Sequence, residues 1–311
     1  MYKLSDFVRK KNILLPGHRM CAGCNAPIIV KMVSMALKRS AIIVVATGCL
    51  EVATTIFPYT SWSTPWIHNA FENAAATASG IESALKVLKR KGLIKEVPDV
   101  IVFAGDGGTT DIGLQALSGA VERGHKFLYV LYDNEAYMNT GIQRSGSTPY
   151  GAWTTTTPAG KLRWRKPISK IIAAHGKHVY VATVSSAYWV DFIKKVEKGL
   201  DWNGPAFIHA FSTCDRGWRH DTHLTIKISR LAVQTCFFPL WEYEDGKYTL
   251  SSPSRVYAEN PEKKVPVEEF LKVQGRFSHL FKPRKKVKMI EEIQRKVDEE
   301  WNDLLKLTGY A

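Results

Sequence analysis

An α/β fold, with a parallel sheet covered by helices on both faces, is the fold class that this sequence predicts. The first observation is that short, continuously apolar segments alternate with longer segments whose apolar residues recur at helical spacing. Strands of continuous apolar character are typical of parallel sheets that are buried on both sides. The second observation is size, because 311 residues with 45% hydrophobic content can form the core of one large or two modest domains.

The elements follow one another in a regular order. A polar, basic N-terminal stretch leads into a helix over 25–39 and a buried strand over 41–48. Residues 49–66 are rich in turn formers, and 69–92 predict a long alanine-rich helix that ends in Lys, Arg and Gly. Residues 143–164 predict a long loop rich in Gly, Thr and Pro, which in a compact domain is usually functional or interfacial. Further strands are expected at 99–105, 127–134, 178–183 and 205–212, and further helices at 109–124, 187–200 and 223–236.

The alternation of strands and helices stops after about residue 239. Asp245 and Gly246 predict a hairpin, which is followed by extended chain and a charged helix over 288–309. We therefore expect a domain over 1–238 and a C-terminal hairpin and helical arm over 239–311 that contacts a neighbouring subunit. The alternative is a C-terminal helix that packs on its own chain.

The charge balance is strongly basic. Lysine and arginine number 43 against 29 acidic residues, which gives a net charge of +14 and favours acidic partners. Nucleic acid is one such partner, but the sequence shows no recognisable zinc-finger or RNP-type motif, and an acidic redox protein or sister subunit fits as well. No apolar run reaches the roughly 18 to 20 residues that span a bilayer, and no signal-type segment is present. We therefore expect a cytoplasmic protein that binds neither nucleic acid nor membrane.

The cysteines indicate a metal or redox role. Five are present, with Cys21 and Cys24 in a C-x-x-C pattern. Structural disulfides are unexpected without an export signal. The pair alone is compatible with zinc, a redox dithiol or half of an iron–sulfur site. Cys49 and Cys214 each follow an apolar strand, so we expect both thiols at the carboxyl edge of the sheet.

One carboxylate lies among glycines where a strand ends. Asp106 is flanked by Gly105, Gly107 and Gly108, which allow the backbone to approach phosphate oxygens, and a helix N-terminus is expected to follow. A carboxylate there would repel a phosphate unless a cation lay between them, and Mg²⁺ prefers such oxygen ligands. Asn134 ends the next strand and supplies a neutral amide oxygen at the same edge.

These two motifs resemble those of a known family. The "GDGG" at 105–108, with an Asn 28 positions after Asp106, resembles the thiamine diphosphate signature. The longer segments 105–124 and 132–160 are closely similar to the β subunit of 2-oxoacid:ferredoxin oxidoreductases, the pyruvate enzymes especially. The similarity covers roughly residues 15–235 and extends more loosely to "VEEFLKVQGRF".

The resemblance implies a thiamine diphosphate-binding fold and a set of site residues. Asp106, Asn134 and the carbonyl of Ala136 are expected to bind Mg²⁺, while Gly107 and Gly108 contact the diphosphate. His68 and Asn69 are expected to line the cofactor cleft, although a structural role for His68 is the alternative. For Asn139, which is expected to contact the substrate, the alternative is a turn residue. The full set of expected cofactor contacts is Thr47, Gly48, Cys49, His68, Gly105, Gly107, Gly108, Met138 and Asn139.

The resemblance also implies a [4Fe–4S] cluster next to the thiamine site. Its ligand positions are matched by four thiols, whereas Cys236 is expected to be buried and unligated. Two departures stand out: Asn25 replaces the usual Gly, and "CDRGW" replaces "CPTGW", which alters charge near the cluster. The four expected ligands are Cys21, Cys24, Cys49 and Cys214.

The family chemistry requires residues that this chain is not expected to carry. Thiamine diphosphate is activated by a glutamate from a second α/β domain, and the chain has length for one such domain. We therefore expect that glutamate on an α subunit rather than at Glu51 or Glu72. Further expected partners are γ and ferredoxin-like δ subunits, ferredoxin, a 2-oxoacid and coenzyme A. "TPWIHNAFENAA" favours pyruvate, with branched-chain acids, oxalate or a non-redox thiamine enzyme as alternatives.

Overall fold

The computed structural model describes residues 3, 5–8, 10 and 12–310. Within them, no helix is both long enough and apolar enough to cross a membrane.

A single eight-stranded sheet organises the described chain. Its spatial order is β2-β1-β3-β4-β6-β5-β7-β8, and the pairings among the first six strands of that order are parallel. The last two strands form an antiparallel hairpin that extends the sheet beside β5. The strands are β1 (Ala41–Ala46), β2 (Trp66–Asn69), β3 (Asp99–Gly105), β4 (Leu128–Asp133), β5 (Tyr180–Ser185), β6 (Ala206–Phe211), β7 (Trp241–Glu244) and β8 (Lys247–Leu250).

Helices cover both faces of the sheet, as the apolar strands predict. Two separate clusters of buried apolar side chains lie on the two faces, and β3 and β4 contribute alternate residues to each. The predicted fold class is therefore confirmed. The helices are α1 (Ser5–Val8), α2 (Ala26–Ala36), α3 (Cys49–Thr54), α4 (Ala74–Arg90), α5 (Leu114–Glu122), α6 (Ile168–Ala173), α7 (Trp189–Asp201), α8 (Asp215–Trp218), α9 (Thr225–Gln234), α10 (Ser252–Glu259), α11 (Val267–Lys272) and α12 (Val287–Thr308).

The stretch expected to contain turns holds two short regular elements. Helix α3 begins at Cys49, directly after the loop that leaves β1, and β2 pairs in parallel with β1. Neither was predicted, because α3 is too short for a helical period and β2 is largely exposed at the sheet edge. The helix expected to begin soon after Asp106 also differs, since residues 107–111 form a π-helical turn before α5 begins at Leu114.

The C-terminal segment packs on its own chain, which is the alternative to an extended arm. The predicted hairpin is present, and β7 pairs with β5, so the hairpin joins the main sheet. Helix α12 buries Ile293, Val297 and Trp301 in the same apolar cluster as Phe237 and Phe270. The helix folds back because its buried side chains lie on one face at helical spacing. Contact of this segment with a neighbouring subunit stays a prediction.

Candidate functional site

A cleft opens at the carboxyl edge of the sheet, where β1, β3 and β4 end. Strand pairing brings Gly105 opposite Tyr132, so the loops after β3 and β4 emerge side by side. The structure thereby brings together most of the residues that the sequence predicts for the cofactor. The cleft is lined by Thr47, Gly48, Cys49, Phe71, Gly105, Asp106, Gly107, Gly108, Tyr132, Asn134, Ala136, Tyr137, Met138, Asn139 and Thr140.

Bare backbone is required at the two glycines after Asp106. A Cβ at Gly107 would lie 2.2 Å from the ring of Tyr137, whose hydroxyl donates to the Gly107 carbonyl at 3.3 Å. A Cβ at Gly108 would lie 2.9 Å from the carbonyl oxygen of Phe71. Any side chain at either position would therefore collide with fixed groups.

Asp106 is a buried carboxylate in an acidic environment. Its side chain is 1% exposed. Burial raises the pKa of Asp106 well above its ordinary value, and the charge of Asp133 raises it further. The hydroxyl of Ser145 donates a hydrogen bond to Asp106 Oδ2, which opposes this shift. A divalent cation at the other oxygen would stabilise the ionised carboxylate.

That other oxygen faces two groups from the loop after β4. One terminal atom of the Asn134 amide lies 2.9 Å from Asp106 Oδ1 and 2.9 Å from the carbonyl oxygen of Ala136. If this atom is nitrogen, it donates hydrogen bonds to both oxygens. If it is oxygen, it lies about 2.9 Å from each of two other oxygens, which is the separation of neighbouring corners in an octahedral Mg²⁺ shell. The donor set therefore fits a hard divalent cation.

The backbone between these two groups is held from the C-terminal segment. Glu135 has a φ of 64°, which a residue with a Cβ adopts rarely, and its carboxylate points away from the cleft toward Arg276 at 2.6 Å. The Arg276 guanidinium stacks over the ring of Trp218 at 3.7 Å. Trp218 Nε1 in turn donates to the carbonyl of Asn134 at 2.8 Å. Arg276 and Trp218 together fix the position of the loop that carries Asn134 and Ala136.

Buried hydrogen bonds hold the long loop beside Asp106. Lys161 is 3% exposed, and its ammonium donates to the carbonyls of Ser145, Gly146 and Thr148 at 3.1, 3.3 and 2.6 Å. Thr148 donates to the carbonyl of Glu135 at 2.6 Å. The loop therefore places the Ser145 hydroxyl against Asp106, which supports the prediction that this long loop is functional.

The four expected cluster ligands are free thiols near one another. Burial raises the pKa of Cys24, and charges on Cys214, Cys49 and Cys21 raise it further, so the four groups lie within electrostatic reach. Burial likewise raises the pKa of Cys49 to about 12 and that of Cys214 to about 11. Among the described residues, no group of three or more His, Cys, Asp or Glu side chains has the arrangement of a metal site.

The elements that carry these thiols are anchored to the carboxyl edge of the sheet. Cys49 is the first residue of α3, and Cys214 precedes α8 and accepts a hydrogen bond from the Gly217 amide at 3.3 Å. Asn25 is fully buried and donates to the carbonyl of Phe211 at the end of β6, which ties the C-x-x-C loop to the sheet. The first sequence departure therefore has a structural role.

Asp215 follows Cys214 in the sequence, and Cys236 is the fifth cysteine. Asp215 is buried, and its Oδ1 has no hydrogen-bond partner among the described residues. Cys236 follows α9 rather than lying within it, has a φ of 56° and is 2% exposed. Its predicted burial is therefore confirmed.

The remaining predicted residues lie around the rim. His68 Nε2 is 2.8 Å from the Thr47 hydroxyl, so this half-exposed imidazole reaches the edge of the cleft. Asn69 donates from its side chain to Thr77 at 2.7 Å and accepts at its carbonyl from Thr47 at 3.0 Å, which gives it a structural role. Glu51 lies 3.7 Å from His68 and accepts from Thr55, whereas Glu72 is exposed.

Sequence reasoning missed several residues of the site. Ser145, Lys161 and Arg276 contact Asp106 or the loops beside it, and these contacts join segments far apart in the chain. Tyr132 lines the cleft from a strand whose other residues are mostly apolar. The sequence carries no signal for these residues, because they are brought to the site by tertiary contacts.

Comparison with known proteins identifies a matching family and similar sequences. A family profile described as "Thiamine pyrophosphate enzyme, C-terminal TPP binding domain" matches residues 46–210. Pyruvate synthase subunit PorB of Thermotoga maritima is 51% identical over 97% of this chain and 94% of its own length. PorB of Methanocaldococcus jannaschii is 51% identical over 93% of this chain and 95% of its own. Ketoisovalerate oxidoreductase subunit VorB of Pyrococcus abyssi is 48% identical over 96% of each chain.

A solved structure supports the fold at much lower identity. The 2-oxoglutarate:ferredoxin oxidoreductase from Magnetococcus marinus, with 2-oxoglutarate, coenzyme A and succinyl-CoA bound, superposes with a TM-score of 0.54 at 20% identity. The superposition covers 72% of this chain and 82% of that chain. At this identity the likeness shows the fold alone.

Proposed function

Because this chain belongs to the thiamine diphosphate-binding β subunits of 2-oxoacid:ferredoxin oxidoreductases, we propose that it takes part in oxidative decarboxylation of pyruvate. In this proposal the chain holds Mg²⁺, thiamine diphosphate and a [4Fe–4S] cluster. The acyl group passes to coenzyme A, and the electrons pass through the cluster to ferredoxin.

The observation that carries the proposal is the meeting of three polar groups from two strand ends. One terminal atom of the Asn134 amide lies 2.9 Å from Asp106 Oδ1 and 2.9 Å from the carbonyl oxygen of Ala136. Asp106 is buried, and the charged neighbours that raise its pKa are the acids Asp133 and Glu135. A cation at this place would relieve that repulsion, and the Asn134 amide would then present oxygen to it.

The chain's own residues have defined tasks in this proposal. Asp106, Asn134 and Ala136 hold Mg²⁺, and the bare backbone of Gly107 and Gly108 admits the diphosphate. Met138 and Asn139 line the cleft, and we assign them to contacts with the cofactor or the substrate. When bound, thiamine diphosphate supplies an electron sink for decarboxylation, and an iron–sulfur cluster accepts electrons one at a time.

The cluster is proposed on the placement of the thiols. Cys21, Cys24, Cys49 and Cys214 are free and lie within electrostatic reach of one another, and Cys49 also lines the cleft. Four thiolates are the usual ligands of a [4Fe–4S] cluster. The number of these thiols and their mutual influence support the proposal.

Partner subunits complete the proposed enzyme. The activating glutamate is assigned to an α subunit, because Glu51 is engaged with Thr55 and His68 and Glu72 is exposed outside the described cleft lining. We further assign γ and ferredoxin-like δ subunits, or fusions of them, as the path to external ferredoxin. The name "subunit PorB" of the relatives supports a multi-subunit assembly.

A branched-chain 2-oxoacid is the second candidate substrate. The 48% identity to the ketoisovalerate oxidoreductase subunit is close to that of the pyruvate relatives, so the chain's similarity alone discriminates weakly between them. Pyruvate is favoured because several of the similar relatives are pyruvate synthase subunits.

The experiment begins with anaerobic purification of the chain together with its accompanying subunits. Iron, magnesium and thiamine contents are measured, and pyruvate, 2-oxoisovalerate and oxalate are tested with a viologen acceptor. We expect reduction with pyruvate and loss of about four irons in Cys49→Ala, with Cys236→Ala as the matched control that keeps them. Thiamine turnover without electron transfer would favour a non-redox thiamine enzyme, whereas equal iron in Cys49→Ala would remove Cys49 from the set of cluster ligands.

A further inference from the structure

Tyr132 carries a buried hydroxyl at the boundary between the cleft and the cysteines. The residue lies in β4, is 1% exposed and lines the cleft beside Gly48, Cys49 and Asp106. Its Oη has no hydrogen-bond partner among the described residues. Buried hydroxyls in proteins are nearly always hydrogen-bonded, so such a group indicates a partner outside the protein atoms.

Two other buried tyrosines of the sheet have hydrogen-bond partners within the chain. The hydroxyl of Tyr129, in the same strand, is 3.1 Å from that of Thr109. The hydroxyl of Tyr180 donates to Glu242 at 2.6 Å. The unpaired state of Tyr132 is therefore a property of its position and not of tyrosines in this sheet.

The orientation of the ring distinguishes two sides of the cleft. A Cβ at Gly48 would lie 2.6 Å from Tyr132 Oη and 3.9 Å from Cζ, so the hydroxyl points directly at the residue before Cys49. A Cβ at Gly105 would be 3.5 Å from Cε2, Cζ and Oη of Tyr132 alike, so the side of the ring faces the loop that begins at Gly105. The hydroxyl is directed toward the cysteine side.

The surroundings keep the hydroxyl protonated. Burial raises the pKa of Tyr132 well above its ordinary value, and charge on Cys49 raises it further, while the Leu50 amide lowers it. No protein atom receives the hydroxyl proton, since Oη has no hydrogen-bond partner among the described residues. The charges that act on Tyr132 belong to Cys49, Asp106 and Cys24, and the hydroxyl itself points toward the residue before Cys49.

We propose that Tyr132 donates a hydrogen bond to a sulfur of the cluster held by the four cysteines, on the side of Cys49. This inference rests on the proposed function, because it requires the cluster. Hydrogen bonds to cluster sulfurs stabilise the more negative, reduced state and so raise the reduction potential. Tyr132 thereby sets how readily the cluster takes electrons from the adjacent cleft.

The test is an EPR-monitored redox titration of the anaerobic complex carrying Tyr132→Phe. This change removes one oxygen atom and keeps the ring that packs on Gly48 and Gly105. The signal of this chain's cluster is the one that disappears in Cys49→Ala. Tyr180→Phe is the matched control, because it also removes a buried hydroxyl but one that bonds Glu242.

We expect Tyr132→Phe to shift the equilibrium toward the oxidised cluster severalfold, where tenfold corresponds to 59 mV for one electron. Tyr180→Phe should leave the potential unaltered. Placing 3-fluorotyrosine at position 132, with a more acidic hydroxyl, should shift the potential in the opposite direction and provides a second readout if the Phe variant loads poorly.

Two results would overturn the inference. An unchanged potential in both Tyr132 substitutions would show that the hydroxyl does not contact the cluster, and weaker thiamine diphosphate binding with that result would assign it to the cofactor. Absence of iron from this chain in the wild-type complex would instead refute the proposed function, and the inference with it. Iron content therefore separates the two failures.

Discussion

The surroundings of Asp106 disfavour the ionised form of its carboxyl group. The carboxylate is buried, and Asp133 and Glu135 add negative charge near it. We predict that Asp106→Asn, which keeps the shape but removes the charge, weakens Mg²⁺ binding by more than the about 10–100-fold typical of outer-shell changes. Thiamine diphosphate should be lost with the metal.

Calorimetric titration of the complex with Mg²⁺ and thiamine diphosphate measures this effect. Asp111→Asn is the matched control, because Asp111 is also a carboxylate of the loop after β3 but pairs with Lys166 at 2.8 Å. Unchanged metal-dependent binding in Asp106→Asn would remove this residue from the metal site.

Ser145 acts on the same carboxylate through its other oxygen. Its hydroxyl donates to Asp106 Oδ2 and thereby fixes the direction in which Oδ1 points. We predict that Ser145→Ala weakens Mg²⁺ binding about 10–100-fold, since outer-shell partners orient metal ligands. Titration of Ser118→Ala, which loses a hydrogen bond to His175 outside the cleft, should give the wild-type affinity. Equal affinities in both variants would contradict the role of Ser145.

The residues that sequence predicts well are those whose position follows from strand ends. Asp106 and Asn134 terminate or follow neighbouring strands, so the parallel sheet brings them together without further information. Ser145 lies 39 positions from Asp106, on an irregular loop whose path no periodicity describes. Tyr132 looks like an ordinary strand aromatic, and its unpaired hydroxyl becomes visible when its neighbours are known. The positions of such residues depend on tertiary contacts.

Among the elements, the segment after α11 supports the site most directly. Arg276 is 2% exposed and pairs with Glu135, which lies between Asn134 and Ala136, two of the three residues assigned to Mg²⁺. We predict that Arg276→Met lowers the free energy of unfolding by about 3–5 kcal/mol, because the buried Glu135 carboxylate keeps only the longer contact of 3.8 Å to Arg165. Denaturant unfolding of the purified complex, monitored at the tryptophans, measures this change.

A double variant separates the buried charge from the packing. Arg276→Met combined with Glu135→Gln removes both charges, so we expect it to recover part of the lost stability. Arg295→Met is the matched control, because Arg295 lies on α12 and is largely exposed. A double variant as unstable as Arg276→Met would show that the stacking on Trp218 matters more than the ion pair.

Elements with a strong period are predictable, and those without one are not. The alanine-rich helix α4 and the apolar strand β3 appear in the structure close to their expected positions. Helix α3 and the π-helical turn at 107–111 span six and five residues, too few to display a period. Both border the cleft, where backbone geometry serves the ligand site more than local propensity.

At the scale of the whole molecule, the C-terminal segment and the sheet share one core. Trp301 of α12 is 4% exposed and belongs to the cluster that includes Phe211 and Trp218 beside the site. We predict that Trp301→Ala lowers the free energy of unfolding by about 3–5 kcal/mol. Leu307→Ala, on the same helix but 47% exposed, should cost much less.

Unfolding and subunit assembly are measured together in this experiment, by denaturant titration and by sedimentation of the complex. If Trp301→Ala changed assembly while leaving the unfolding free energy intact, α12 would be an arm that binds a neighbour. The sequence alone left these alternatives open, because an amphipathic helix presents the same apolar stripe to its own chain as to a partner.

The two edge strands of the sheet are short, and this affects how the protein behaves at high concentration. The outermost strands, β2 and β8, span four residues each, and β8 begins with a lysine and packs against α12. Short, charged or covered edges offer few free amides and carbonyls to the strand of another molecule. The sheet therefore resists edge-to-edge polymerisation, and subunits must associate through side-chain surfaces instead of a continuous intermolecular sheet.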